Sequence, residues 1–285
     1  MLAGNAGRKP WPDRMRGVIL SARGHGWTAV VAQASRWEFS GMTYCVALRL
    51  NRGLVFAADT RTSAGNDNVA VFRKLHYWRK LGERVIVMLS AGNLAVTQSV
   101  ISILNEQLVE ELSPGAESLF TAPSLYRAAR LVGDAVREVH RIDGPSLEAG
   151  GSPFNPNFII GGQVGNEVPR LFHVYPEGNF IEATGDTPFL QIGEHKYGKP
   201  ILDRVVEPNM RLGEAAKLAL LSFDSTLRSN LSVGLPIDLL IYERDSFDVR
   251  REKRIEQDDE YFRKLSTAWS EALRTAVAKM EEFKV

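Results

Sequence analysis

A single cysteine, Cys45, stands in 285 residues, so an intramolecular disulfide is excluded. Its place inside an apolar run marks it as a small buried hydrophobe. Use of the thiol as a nucleophile would need cleavage after Tyr44, and that reading is set aside. No apolar stretch is long enough to span a bilayer, and neither Val18-Ile19-Leu20 nor Ala29-Val30-Val31-Ala32 makes a continuous signal-peptide core. An excess of one charge is also missing. Lys and Arg number 35 against 34 Asp and Glu, a net charge of +1, which gives no electrostatic case for nucleic acid. His25, His76, His140, His173 and His195 are dispersed and lack zinc spacing. There is no G-x-S-x-G elbow, and Gly161-Gly162 with Gly165 lacks the spacing of a dinucleotide fingerprint. The expectation is a cytoplasmic protein with no cofactor, no metal, no nucleic-acid partner and no membrane. With 44% hydrophobic residues the chain can bury a full core, as one large domain or two.

What is present begins at Thr43, which opens the first convincing strand, Thr43-Tyr44-Cys45-Val46-Ala47-Leu48-Arg49-Leu50. A threonine with a free α-amine is nucleophile and base in one residue: Oγ1 attacks a carbonyl while the amine takes the proton. An ordinary α-amine has a pKa of about 8, close to working pH. Asn51-Arg52-Gly53 reads as a three-residue turn and Leu54–Asp59 as the returning strand. Pairing Leu50 with Leu54 puts Cys45 opposite Asp59 and Thr43 opposite Arg61, so that Thr43, Cys45, Asp59 and Arg61 share one face. A carboxylate ending an apolar strand wants a partner, and Lys74, among apolar and aromatic residues 71–78, is the candidate. The strand Arg84–Leu89 then runs into Ser90-Ala91-Gly92-Asn93. A glycine there leaves its N–H open to a carbonyl oxygen, as an oxyanion hole requires, although from these residues alone a plain tight turn is the preferred reading.

Thr43, Asp59-Thr60-Arg61, Lys74 and Ser90-Ala91-Gly92, in this order, resemble the proteasome β-subunit family of N-terminal-nucleophile hydrolases. MTYCVALRL, Ile192–Pro200 and the run from Ser222 to Leu240 are similar to its bacterial Anbu (ancestral β-subunit) branch. The resemblance covers residues 43 to 245, and the C-terminal extension also fits the branch. It implies Thr43 as nucleophile, Asp59 and Lys74 as the charged pair, Gly92 as oxyanion donor, and Asp224 with Ser229 as supporting residues. The sequence departs from the family at Gly193-Glu194-His195, where many β-subunits carry a serine between two glycines. The spacing at Asp224 and Ser229 is altered as well.

Apolar periodicity predicts helices over 93–112 and 123–142, a turn-rich loop from Gly144 to Pro156, and strands at Phe158–Val164, Arg170–Val174, Phe180–Ala183 and Phe189–Ile192. Helices follow over 195–208 and 212–230, and Ile237–Tyr242 is a last strand. Helix pairs between groups of strands suit two sheets packed between helical layers, in keeping with the α+β, four-layer αββα sandwich that the resemblance implies. Arg250–Arg254 reads as a solvated charge run. Residues 257–284 read as a terminal helix with a stripe from Tyr261 to Met280, fitted equally to its own core or to a neighbouring subunit. Three segments are thus expected: 1–42, a hydrolase domain over 43–245, and an extension over 246–285. The first is rich in arginine and glycine and reads as a propeptide, a flexible leader, or sequence upstream of a true start at Met42. The last is preferred, because methionine removal would expose Thr43 without self-processing.

The expected function is a threonine-type hydrolase of amide bonds, peptides or unfolded protein foremost, inside a proteasome-like homo-oligomer. Its rivals are a small-molecule amidase on the same fold and a non-catalytic assembly subunit with a masked threonine. The sequence names no partner unfoldase.

Overall fold

A computed structural model describes residues 43–63, 69–109 and 117–284. The segment 1–42 and the expected helix end at 110–112 lie outside them. Two five-stranded antiparallel sheets form the centre. The first has the order β10 (Phe189–Gly193), β1 (Tyr44–Leu50), β2 (Gly53–Asp59), β11 (Ile237–Glu243), β12 (Arg251–Ile255). The second runs β5 (Leu75–Lys80), β6 (Arg84–Ala91), β7 (Asn157–Val164), β8 (Arg170–Val174), β9 (Phe180–Glu182), and β3 (Arg61–Ser63) pairs separately with β4 (Val69–Val71).

Period-two alternation builds the layers. Cys45, Ala47, Phe56 and Ala58 face Leu75, Val87, Leu89 and Ile159 across the space between the sheets. The other face of the first sheet, with Tyr44, Val46, Leu48 and Val55, packs on α3 (Lys199–Val205) and α4 (Leu212–Ser229). The outer face of the second sheet, with Ile86, Met88, Phe158 and Ile160, packs on α1 (Leu94–Val109) and α2 (Leu125–Ala149). This is the four-layer αββα sandwich. No helix among the described residues is long and apolar enough to cross a membrane.

Four details differ from the sequence reading. The β1–β2 connection is a two-residue turn, Asn51-Arg52, so Leu50 pairs with Gly53 and Cys45 with Ala58. Gly53 belongs to the strand rather than the turn. At φ 142° it lies so close to β11 that a Cβ would meet the Tyr242 carbonyl at 2.0 Å. A one-residue slip reverses faces, so Asp59 does not share a face with Thr43 and Cys45. Second, α2 continues through Gly144 and Pro145 to Ala149, against the breaker rule, because Gly144 is buried against His140 and Leu147 packs on the core.

Third, Arg251–Ile255 is the edge strand β12, held by Arg254 in a bidentate pair with the buried Asp238. The expected extension therefore begins with a strand of the sandwich. Fourth, the helix expected over 195–208 is shorter, Lys199–Val205. The terminal helix α5 (Glu260–Ala278) starts at Asp259, whose carboxylate caps the Phe262 amide at 2.8 Å. Phe262, outside the expected stripe, is the helix's buried residue, and of the stripe Leu265 and Trp269 pack partly on the core. Tyr261, Leu273, Val277 and Met280 are exposed.

Candidate active site

Strand ends from both sheets bring the predicted residues together. Thr43 precedes β1 in the first sheet, Asp59 ends β2, Lys74 precedes β5 in the second sheet, and Gly92 follows β6. Thr43, Lys74 and Gly92 line one cleft with Arg61, Thr62, Ser90, Ala91, Leu94 and Thr97. Its free volume is about 20 Å³, room for about one water molecule.

Lys74 is the link between the sheets. The Lys74 carbonyl accepts from the Ser90 amide at 3.0 Å, which continues the β5–β6 ladder and fixes the lysine backbone. Its Nζ donates to Asp59 Oδ1 at 2.8 Å and to the Arg61 carbonyl at 2.5 Å. An ammonium has three donors, so one remains for the cleft. Both side chains are buried: Lys74 is 4% exposed and Asp59 0%. Asp59 Oδ1 also accepts the Tyr44 amide at 3.1 Å, directly behind Thr43. Thus the shifted register leaves Asp59 useful through its contacts rather than through a shared face. Asp59 Oδ2 has no hydrogen-bond partner among the described residues. Burial pushes the Asp59 carboxyl up from its ordinary 3.8 to about 6, although Lys74 pulls the other way.

Gly92 takes φ 105°, and a Cβ on it would lie 2.2 Å from the Asn155 carbonyl. Only glycine suits this turn. Asn155 holds the turn a second way, its Oδ1 accepting from the Asn93 amide at 3.0 Å. Among the described residues the Gly92 amide donates to no acceptor, so it is available to an oxyanion. Sequence reasoning missed Asn155, whose only signal was its place in an Asn-Pro turn.

Asp224 and Ser229 do not line this cleft. Asp224 pairs with Arg228 at 3.2 Å, and Arg228 reaches Ser266 of α5, so this carboxylate ties two helices together. Ser229 is the exposed last residue of α4. The loop beyond it comes closer: the Leu231 carbonyl accepts from Arg61 at 3.1 Å, and a Cβ on Gly234 would strike the Arg61 guanidinium. Cys45 lies two residues after Thr43 in sequence, yet it is fully buried and burial pushes its thiol far up, which disfavours the thiolate. Among the described residues no group of His, Cys, Asp and Glu could hold a metal ion.

An αββα sandwich with a threonine at the head of its first strand and a buried Lys–Asp pair beside it has the form of an N-terminal-nucleophile hydrolase. A family model for proteasome subunits matches residues 126–241. Anbu from Hyphomicrobium sp. strain MC1, in a Gly-1 mutant, is 70% identical, with a TM-score of 0.81 over 85% of this chain and 100% of that one. Anbu from Yersinia bercovieri is 50% identical, with a TM-score of 0.79 over 85% of this chain and 99% of that one. The helical assembly of the Anbu complex from Pseudomonas aeruginosa contains a chain 47% identical, with a TM-score of 0.80 over 85% and 98%. A proteasome subunit beta from Haloquadratum walsbyi is 23% identical over 75% of this chain and 79% of its own length. The chain belongs to the proteasome β-subunit family, in its Anbu (ancestral β-subunit) branch.

Proposed function

We propose that the protein is a threonine-type hydrolase of peptide amide bonds, with Thr43 as nucleophile, acting in the cytoplasm within a homo-oligomer. The observation that carries this reading is one cleft lined by Thr43, Lys74 and Gly92, with Lys74 held by Asp59. The Lys74 ammonium favours the alkoxide form of the Thr43 hydroxyl. The α-amine of Thr43 takes the hydroxyl proton and returns it to the leaving amine. Negative charge develops on the substrate carbonyl oxygen, where the Gly92 amide can receive it. The product is an ester on Thr43, which water then cleaves with the amine acting as base again.

The amine exists only if everything before Thr43 is absent from the mature chain. The Anbu structures are covered almost end to end by 85% of this chain, the share that residues 43–285 represent, which supports that boundary. A homo-oligomer is supported by the helical assembly of the P. aeruginosa relative and by the exposed apolar residues of α5. Asp224 and Ser229 keep a supporting role only through contacts that this cleft does not include.

The test is peptide hydrolysis by protein whose N-terminus is fixed at Thr43 by intact-mass measurement. Thr43→Ala should abolish turnover with the fold unchanged by circular dichroism, and Thr43→Ser should retain part of it. Equal activity of Thr43→Ala and wild type would remove Thr43 from the chemistry.

A further inference from the structure

Gly193-Glu194-His195, where the sequence departs from its family, has no role in the reaction as described above. Its backbone nonetheless grips the nucleophile. Gly193, at φ 79°, lies so close that a Cβ would meet the Thr43 carbonyl oxygen at 1.8 Å. The Glu194 amide donates to that same oxygen at 2.7 Å. The side chain of Glu194 is fixed as well: Oε2 accepts from Asn230 Nδ2 at 3.1 Å and Oε1 from the Lys196 amide at 3.2 Å. Both donors are neutral, and among the described residues Glu194 makes no ion pair, whereas Asp59 and Asp224 each have a cation.

A half-buried carboxylate held only by neutral dipoles favours an opposite charge placed beside it. The nearby cations have their acceptors on other residues. Lys74 donates to Asp59 and the Arg61 carbonyl, and Arg61 donates to the Leu231 carbonyl. Release of Thr43 creates a new cation, its α-ammonium, on the residue whose carbonyl the Glu194 amide already holds.

We propose that Glu194 is the counter-ion of the Thr43 α-ammonium, a positioning residue that steers the amine and keeps the resting site protonated near neutral pH. This rests on the reading of Thr43 as a free N-terminal nucleophile. A negative neighbour raises the amine above its ordinary value of about 8. Because the base must be neutral, hydrolysis then climbs with pH through that raised value. The other charged and titratable groups at the Thr43 cleft are Arg61 from β3 and Lys74 before β5, which line it, Asp59 from β2, which holds Lys74, and the buried Cys45 two residues along β1. Asp59 and Lys74 largely cancel, and Arg61 acts against the ammonium, so the sign of the shift on removing Glu194 is set by Glu194.

The experiment uses protein beginning at Thr43, as wild type and Glu194→Gln. The pH dependence of α-amine acylation by acetic anhydride, quantified by peptide mass spectrometry, gives the amine midpoint without any need for turnover. Glu194→Gln should lower this midpoint by about one pH unit or more, and the acid limb of kcat/KM should move down with it. Should the glutamine variant fail to fold, Glu194→Ser serves the same purpose. An unmoved midpoint overturns the counter-ion role even if peptides are still cleaved. A lowered midpoint without hydrolysis in either protein leaves the counter-ion standing and removes the nucleophile reading.

Discussion

Replacing Lys74 by methionine should destabilise the protein in a strongly pH-dependent way. The side chains are similar in volume, so packing changes little, and the effect falls on Asp59. In the wild type this carboxyl is raised from 3.8 to about 6 by burial. The sign follows from linkage: a raised carboxyl contributes stability that is present below its unfolded value and is lost as pH rises through the folded one. At about 1.4 kcal/mol per unit, ionised Asp59 costs the wild type about 3 kcal/mol at neutral pH. Without Lys74 the carboxyl loses its opposing charge and a donor, and it should move to about 8–9, the range of buried acids without a cation. At pH 5 both proteins hold Asp59 neutral, and the ion pair contributes no difference. Between pH 6 and pH 8.5 the variant keeps losing about 1.4 kcal/mol per unit while the wild type does not. The gap reaches roughly 3 kcal/mol, at the lower end of the cost of breaking a buried pair. Urea unfolding at pH 5, 7 and 8.5, at equal protein concentration, measures it. A gap that is flat with pH, or larger in acid, would refute the reasoning.

Asp59→Ala and Lys74→Ala should each reduce kcat nearly as far as Thr43→Ala, and the double variant should be little worse than either. Full additivity in kinetics would show two independent roles. Gly92→Ala should abolish hydrolysis and lower stability by about 1–3 kcal/mol, because the new Cβ meets the Asn155 carbonyl at 2.2 Å; unchanged turnover would remove Gly92 as oxyanion donor. Deleting residues 257–285 should weaken self-association more than it unfolds the sandwich, since α5 buries only Phe262 on its own core. Light scattering and circular dichroism on the truncated chain separate the two effects.

Thr43, Lys74 and Gly92 were legible because each stands where an apolar run starts or stops, and strand ends survive small errors of register. Asp59 was found for the same reason, yet its face was misjudged, since the face depends on whether Gly53 belongs to the turn or to the strand. That depends on the approach of β11 from residue 242, which nothing local encodes. Asp224 shows the opposite failure. The family resemblance suggested it for the site despite an altered spacing, but on a helix a carboxylate takes the cation four residues on, and Arg228 pairs with it. The loop 230–234 beside Arg61 and the grip of Gly193 and Glu194 on Thr43 are long-range backbone contacts that leave little mark on the sequence. The edge strand β12 was hidden by its charges, which are what an exposed sheet edge carries.

The placement of the ion pair explains why the sandwich is built around it. Asp59 closes a strand of the first sheet and Lys74 immediately precedes a strand of the second, so their contact at 2.8 Å joins the two sheets at the end where the cleft lies. By the linkage argument an ionised Asp59 is a cost at neutral pH, which apolar burial between the sheets must offset. A structural role alone would be better served by two apolar side chains of the same volume. The charge is retained at the one end of the sandwich where Thr43 and Gly92 also converge. There a buried ammonium with one donor left is costly to folding, and it stands where the proposed Thr43 chemistry would use it.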